Sequence, residues 1–175
     1  MPKVIANLSE QIRAQARTLL LSDGWEALTV RAVAAHCRVA VGTVYNYYPS
    51  KDALIAAVML EDWQHVLKQM ADAAQATVST MDSLRAVFAA LCAFEQQYQP
   101  VWQQYATLNN PMPSRQAYHE QLVSQIAAIL HPILPNAVDD PILPTFLAET
   151  LLTLAPRGMA GYDCAAHLIA RLIAD

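Results

Sequence analysis

Two short helical patterns follow each other between residues 29 and 51 with almost no chain between them. In each pattern apolar side chains recur at offsets of three, four and seven residues: Val30, Val33, Ala34 and Cys37, then Val41, Val44, Tyr45 and Tyr48. Helices of about two turns are marginal on their own, so each must bury its apolar face against other helices. The spacing therefore predicts a compact pair of helices joined by a tight turn.

Capping and stop signals define the helices around this pair. Asn7 opens a capping-box pattern, which predicts the start of a first helix. Gly24 is expected to end that helix because glycine readily takes the left-handed C-cap conformation. Thr29 and Ser50 have side chains suited to cap the second and fourth helices. The sequence therefore predicts three helices in residues 1–51, followed by a long fourth helix.

The second helix of the pair carries a polar face that its apolar stripe leaves uncovered. Gly42, Thr43, Asn46 and Tyr47 lie on that face, and Lys51 follows just beyond it. Small side chains and hydrogen-bond donors on an exposed helix are typical of a helix-turn-helix that places its second helix in the major groove of DNA. This face is therefore predicted to bind DNA.

Residues 12–58 resemble the amino-terminal domain of the tetracycline-repressor (TetR) family of bacterial transcription regulators. The resemblance rests on residues that agree in order and spacing, among them Gly24-Trp25, Leu28-Thr29, Val33-Ala34, Gly42-Thr43-Val44-Tyr45, Tyr48 and Ser50-Lys51. It implies an all-α fold, in which a three-helix helix-turn-helix head is joined by a long fourth helix to a carboxy-terminal helical domain for ligand binding and dimerisation.

The resemblance also implies which residues contact the duplex. The predicted DNA-binding residues are Thr29, Arg31, Gly42, Thr43, Tyr45, Asn46, Tyr47 and Lys51. Arg31 has the reach and the paired donors to read a guanine edge, and Lys51 is expected to contact a phosphate. Structural roles are the alternative, with Thr29 as a helix cap, Tyr45 as a core residue and Arg31 as a solvated side chain.

Two positions depart from the family pattern. Arg38 occupies the turn where the family usually has glycine, and a positive φ there costs on the order of 1 kcal/mol. Ala40 stands where a serine often caps the recognition helix, and a missing cap costs roughly 0.5–2 kcal/mol. Contact between Arg38 and a phosphate would compensate in the complex. The departures also support an alternative function, a helical interaction or assembly protein that keeps the head without reading DNA.

Charge is divided unevenly along the chain, whose net charge is −4. Residues 1–51 hold six basic and three acidic side chains, or +3, and residues 52–175 hold five basic and twelve acidic ones, or −7. A basic head on an acidic body directs the head toward phosphate. The predicted domains are therefore 1–51 for DNA binding and 52–175 for effector binding and dimerisation.

The helices of the second domain carry apolar stripes with clear breaks between them. Pro100 is expected to interrupt the fifth helix and begin a new one, because proline suits the first helical turn. The last two helices are predicted at Leu143–Leu154 and Ala165–Ile173, on either side of Pro156-Arg157-Gly158. The resemblance implies that these two helices pair with those of a second subunit to form a homodimer.

A set of aromatic and sulfur-containing residues occupies the central helices. The predicted effector-binding residues are Trp63, Phe88, Cys92, Tyr98, Trp102, Tyr105 and Met112, and Glu95 could face such a pocket or be solvated. Plain core packing is the alternative for the whole set. A bound effector would favour a spacing of the two heads that no longer matches the palindromic half-sites of a double-stranded DNA operator. The expected function is a repressor released by a small molecule.

Other classes of protein find little support in the sequence. The chain has no G-x-S-x-G, P-loop or H-E-x-x-H pattern, and Cys164-x-x-His167 lacks a second pair of ligands, so no catalytic residue, cofactor or metal site is predicted. No apolar run reaches the ~18 residues of a membrane span, and no signal peptide is recognised. The expected location is the cytoplasm, without a membrane partner, and the three cysteines are expected to be reduced.

Overall fold

The computed structural model describes residues 7–76, 79–107, 115–135 and 140–174, and all regular structure in those ranges is helical. The predicted all-α fold is confirmed. Single 3₁₀ turns lie at His131–Ile133 and Ala155–Arg157. The α-helices of the described ranges are α1 (Leu8–Ala27), α2 (Val30–Cys37), α3 (Val41–Tyr47), α4 (Lys51–Ala76), α5 (Thr80–Thr107), α6 (Arg115–Leu130), α7 (Leu143–Leu154) and α8 (Met159–Ala174).

The chain divides into two compact units, and α4 and α5 each contribute to both. Among the described residues, the first unit comprises 7–63 and 98–107, and the second comprises the remainder. The sequence placed the boundary at residue 51. The first unit also takes in the first half of α4 and the end of α5, where the side chains of Asp62 and Gln104 bond directly to α1.

The first unit is built on α1, whose apolar stripe is buried against the helix pair. Ile12, Ala16 and Leu20 are almost fully enclosed, as are Val33 of α2 and Val44 of α3. Helices α1 and α2 pack together, and α2 packs on α3. The predicted compact pair of helices with a tight turn is therefore confirmed.

Gly24 interrupts α1 as predicted, although not in the predicted conformation. Its φ of 85° and ψ of −179° fall in an extended region that is essentially restricted to glycine, and not in the left-handed helical region. The chain turns at this point, and the Leu28 N–H donates to the Gly24 carbonyl at 3.3 Å. Trp25 and Leu28 are both buried beyond the break.

Two of the three predicted N-caps are confirmed. The Ala32 N–H donates to Thr29 Oγ1 and the Ala53 N–H to Ser50 Oγ, both at 3.0 Å. The predicted capping box at Asn7 is wrong, because Asn7 takes a left-handed conformation with φ 59° and makes no side-chain cap. A side-chain cap requires an extended backbone at that position, whereas asparagine tolerates the left-handed region.

The predicted helix break at Pro100 is also wrong. Helix α5 runs through Pro100 without interruption from Thr80 to Thr107. Proline removes one backbone hydrogen bond and crowds the preceding turn. Tyr98 and Val101, on either side, are buried, and their packing outweighs this local penalty.

The second unit has its own core around the ring of Tyr162 in α8. This ring lies 5.3 Å from the Phe88 ring of α5, and its hydroxyl donates to the Met81 carbonyl at 3.1 Å. Helix α6 packs on α7. The predicted helix at Leu143–Leu154 has the observed bounds, and the predicted helix at Ala165–Ile173 lies within the longer α8.

Candidate DNA-binding surface

The turn between α2 and α3 is closed by main-chain hydrogen bonds. Arg38 takes the left-handed conformation that glycine would favour at this turn, with a φ of 56° and a ψ of 42°. The N–H groups of Arg38 and Val39 donate to the carbonyls of Ala35 and Ala34 at 3.1 and 3.0 Å, as in a helix ending with a left-handed cap. Ala40 provides no side-chain cap for α3, as expected.

Helix α3 has seven residues; it buries a narrow stripe, and its other residues are exposed or half-buried. Val44 is fully enclosed, and Tyr48, which follows the helix, is buried as well. Gly42, Asn46 and Tyr47 are exposed and Thr43 is half-buried, so the predicted polar face does point away from the core of the first unit.

Tyr45, a predicted DNA contact for which core packing was the alternative, does not lie in the core. Half of its surface is exposed (50%), much like that of Tyr47 (47%). The buried stripe of α3 passes through Val44 and Tyr48, and Tyr45 lies beside that stripe. This position leaves its ring and hydroxyl available on the same surface as the predicted DNA contacts.

The end of α3 is fixed to α1 by the hydroxyl of Tyr48. That hydroxyl lies 2.9 Å from Ser9 Oγ and accepts a hydrogen bond from Arg13 Nη1 at 3.0 Å. Arg13 Nε also donates to Glu61 Oε2 of α4 at 2.8 Å. The hydrogen bonds with Glu61 and Tyr48 raise the pKa of the Arg13 guanidinium, so this group holds α1, α3 and α4 together as a permanent cation.

Lys51 has a partner inside the first unit that the sequence did not predict. Its ammonium group donates to the Trp25 carbonyl and lies 4.9 Å from the centre of the Trp25 ring. Burial lowers the pKa of this group. The two residues are 26 positions apart, and no local pattern links them. Contact with a phosphate stays a prediction for Lys51, but its ammonium also stabilises the turn after Gly24.

The first unit is not basic as a whole. Helix α4 adds Asp52, Glu61 and Asp62, so residues 1–63 hold six basic and six acidic side chains. Glu61 and Asp62 form ion pairs with arginines of α1. In the described part of this unit, Arg31 and Arg38 are exposed and take part in no ion pair. Among the described residues of this unit, these two exposed and unpaired arginines lie at the two ends of α2.

The residues predicted to bind an effector are divided between the two units. Trp63, Tyr98 and Trp102 belong to the first unit, and Phe88 and Cys92 to the second. Met112 and the side chain of Tyr105 lie outside the described residues.

The described members of this set contact other protein groups. In the first unit the rings of Tyr98 and Trp102 lie 6.4 Å apart, and the Tyr98 hydroxyl donates to Asp62. In the second unit the Cys92 thiol donates to the Ala155 carbonyl at 3.7 Å. These contacts favour core packing for Tyr98 and Cys92. The neighbouring Glu95 is half-buried, and this burial raises the pKa of its carboxyl.

Two further properties bear on the kind of site the chain can hold. Among the described residues, His, Cys, Asp and Glu side chains form no group of three that could hold a metal ion. In the same ranges no helix combines the length and apolar character needed to cross a bilayer.

Known proteins are similar to the head in sequence and to nearly the whole chain in fold. Residues 12–58 match the family described as bacterial regulatory proteins, tetR family. This segment contains α2, the turn and α3. By sequence, residues 12–58 are therefore a tetR-family domain.

Two relatives are similar to the tetR-family domain in sequence. The HTH-type transcriptional regulator UidR of Escherichia coli K12 is 33% identical over 52 residues, which cover 30% of this chain and 26% of UidR. The HTH-type transcriptional repressor KstR of Rhodococcus jostii is 42% identical over 51 residues, 28% of this chain and 24% of KstR. The chain thus spans about a quarter of the length of these curated relatives.

Solved structures of transcriptional regulators have a similar fold over nearly the whole chain. A TetR transcriptional regulator from Legionella pneumophila gives a TM-score of 0.62 at 19% identity, covering 97% of this chain and 99% of that one. FadR from Bacillus subtilis, in complex with stearoyl-CoA, gives a TM-score of 0.60 at 13% identity and covers 94% and 97%. At these identities the similarity shows the fold.

Proposed function

We propose that this tetR-family chain is a sequence-specific DNA-binding repressor that acts as a homodimer and leaves its operator when a small molecule binds. The observation that carries the proposal is the exposed polar face of α3, held rigidly on α1 and α4 through Tyr48 and Arg13. A short helix fixed in this way can enter the major groove without losing its own order.

The proposed docking places α3 in the groove and α2 across the phosphate backbone. Asn46, Thr43 and Tyr47 would face base edges and phosphates, while Arg31 would read guanine. Gly42 supports a close approach, because a Cβ atom added there would meet no protein atom within 4 Å. Packing within the protein therefore does not require glycine at this position, and the proximity of DNA supplies a reason for it.

The proposed dimer interface lies on α7 and α8. Phe146 of α7 and Leu168 of α8 are more than half exposed, at 52% and 62%, and Leu172 is close to half exposed, at 46%. Leu168 and Leu172 are four residues apart and share one face of α8. Large exposed apolar side chains on neighbouring helices are typical of a surface that meets a partner, and a two-fold pair is the commonest arrangement.

Replacing Leu168 with glutamate should convert the dimer to a monomer at micromolar concentration, because the change would bury charges at the centre of the interface. Light scattering coupled to size-exclusion chromatography measures the mass. Leu60→Glu is the matched control, since Leu60 is an exposed leucine of α4 (42%) in the first unit. A dimer that survives Leu168→Glu, or that Leu60→Glu disrupts equally, would contradict the proposed interface.

The proposed effector would act by population shift. An effector that binds one spacing of the two heads more tightly lowers the affinity for an operator that requires another spacing. DNA lowers the affinity for the effector by the same free energy, because the coupling is reciprocal. The family resemblance supports this part of the proposal. FadR of Bacillus subtilis, in complex with stearoyl-CoA, shows a ligand bound to another protein of this fold.

Selection of duplex DNA from a random pool tests the proposed function directly. The purified dimer should enrich an inverted repeat whose half-sites have a regular separation, since a two-fold dimer presents two copies of α3. The alternative is a helical interaction or assembly protein that keeps the head without reading DNA. Failure of the folded dimer to enrich any sequence would favour that alternative.

A further inference from the structure

One buried carboxylate joins three helices of the first unit. Asp62 of α4 is only 7% exposed. Arg17 Nε of α1 donates to both of its carboxylate oxygens at 2.8 Å. The hydroxyl of Tyr98, in the part of α5 that belongs to this unit, donates to Asp62 Oδ2 at 2.7 Å. Asp62 therefore ties α1 and α5 to α4 through directional bonds.

A second bond connects α5 to the carboxy-terminal end of α1. The side-chain carbonyl oxygen of Gln104 accepts a hydrogen bond from the Trp25 N–H at 3.0 Å, directly after the break at Gly24. Tyr98 and Gln104 are separated by about 9 Å along a helix axis. Helix α1 is thus held by α5 near its middle, through Asp62, and again near its end. Two separated points of attachment restrict rotation as well as translation.

A buried carboxylate is a costly way to join helices. It must be fully paired to be tolerated, and apolar side chains of similar volume often stabilise a protein equally well. Apolar packing is non-directional, whereas the bonds to Asp62 require defined positions of Arg17 and Tyr98. The arrangement therefore suits a role in orientation more than a role in stability.

We propose that Asp62 and Tyr98 are positioning residues for the DNA-binding head. They hold α1, and with it α2 and α3, in one orientation on the start of α4 and the end of α5. This inference rests on the proposed function, because a fixed orientation matters when two heads must meet two half-sites together. A head that pivots must lose its rotational freedom when it binds, and this entropic cost weakens binding. A single half-site imposes no such requirement.

Tyr98→Phe tests the inference by removing only the hydroxyl that bonds to Asp62. Tyr162→Phe is the matched control, because Tyr162 is also buried and its hydroxyl makes one bond, to the Met81 carbonyl in the second unit. Fluorescence anisotropy would measure binding to the selected operator and to a duplex that carries one half-site. Both variants should unfold at lower urea concentrations than the wild type.

The expected result is a selective loss of two-site binding. Tyr98→Phe should bind the full operator about tenfold more weakly, since the head gains orientational freedom that two-site binding must remove, and should bind the half-site duplex like the wild type. Tyr162→Phe should bind both duplexes normally. Asp62→Asn, which keeps the shape but removes the charge, should show the same split as Tyr98→Phe.

Equal affinity of wild type and Tyr98→Phe for the full operator would overturn the inference, as would an equal loss on both duplexes. The half-site duplex reveals a general binding defect, because an impaired α3 weakens binding to the half-site duplex and to the full operator alike. Failure of the wild type to select any DNA would instead remove the proposed function and leave the network with a structural role. Far-ultraviolet circular dichroism and light scattering confirm that each variant is a folded dimer before binding is measured.

Discussion

Replacing Gly24 with alanine should lower the free energy of unfolding by about 1–3 kcal/mol, because a side chain would be forced into an essentially glycine-only region of the backbone map. The observed φ of 85° and ψ of −179° define that region. Space is not the cause, since an added Cβ would meet only the Gln104 side chain, at 3.8 Å. The whole penalty therefore arises in the backbone. Urea unfolding followed by circular dichroism measures it.

Gly42→Ala is the matched control for this prediction. Gly42 lies in helix α3, and an added Cβ meets no atom within 4 Å. Alanine there should raise the free energy of unfolding by up to about 1 kcal/mol, because glycine has the poorer helix propensity. Opposite signs for the two substitutions would support the conformations described for both glycines. An unchanged stability for Gly24→Ala would contradict the backbone break in α1.

Arg31→Ala should weaken binding to the selected operator by about 1–3 kcal/mol, or roughly 5–150-fold, and relax the preference at one base pair. Arg31 is exposed in the first turn of α2, beside the Thr29 cap, and has no ion pair in the described part of the chain. Its guanidinium is therefore available to the groove. Binding to operator variants with each base pair changed in turn measures affinity and preference together.

Lys68→Ala is the control for charge in the Arg31 experiment. Lys68 is an exposed residue of α4 in the second unit, and its loss changes the net charge by the same amount. It should leave operator affinity unchanged. A similar loss in both variants would reduce the role of Arg31 to general electrostatic attraction, and no change in either would remove Arg31 from the predicted DNA contacts.

Several features of the head could be predicted because they depend on residues close together in sequence. The Thr29 and Ser50 caps each involve a bond across three residues, and the break at Gly24 reflects a local backbone preference of glycine. The polar face of α3 follows from helical periodicity alone. Asn7 shows the limit of this reasoning, because its sequence pattern fits a cap while its backbone is left-handed.

The net charge of the head depends on where its carboxy-terminal boundary is placed. Residues 1–51 have a net charge of +3. The compact unit also includes the acidic residues of α4, and residues 1–63 have no net charge. Only the tertiary structure shows that Arg13 and Arg17 are paired with Glu61 and Asp62. The sequence cannot distinguish an arginine committed to an internal carboxylate from one left available to DNA.

The sequence by itself determined the helical class of this protein, the tight helix pair and the face of α3 that is exposed, since periodicity and capping act within a few residues. Only the tertiary structure decided that α5 continues through Pro100, that Lys51 bonds to Trp25, and that Tyr98 bonds to Asp62. These outcomes depend on side chains distant in sequence that packing brings together. A distant partner can outweigh a local preference, and no local pattern specifies which partner that will be.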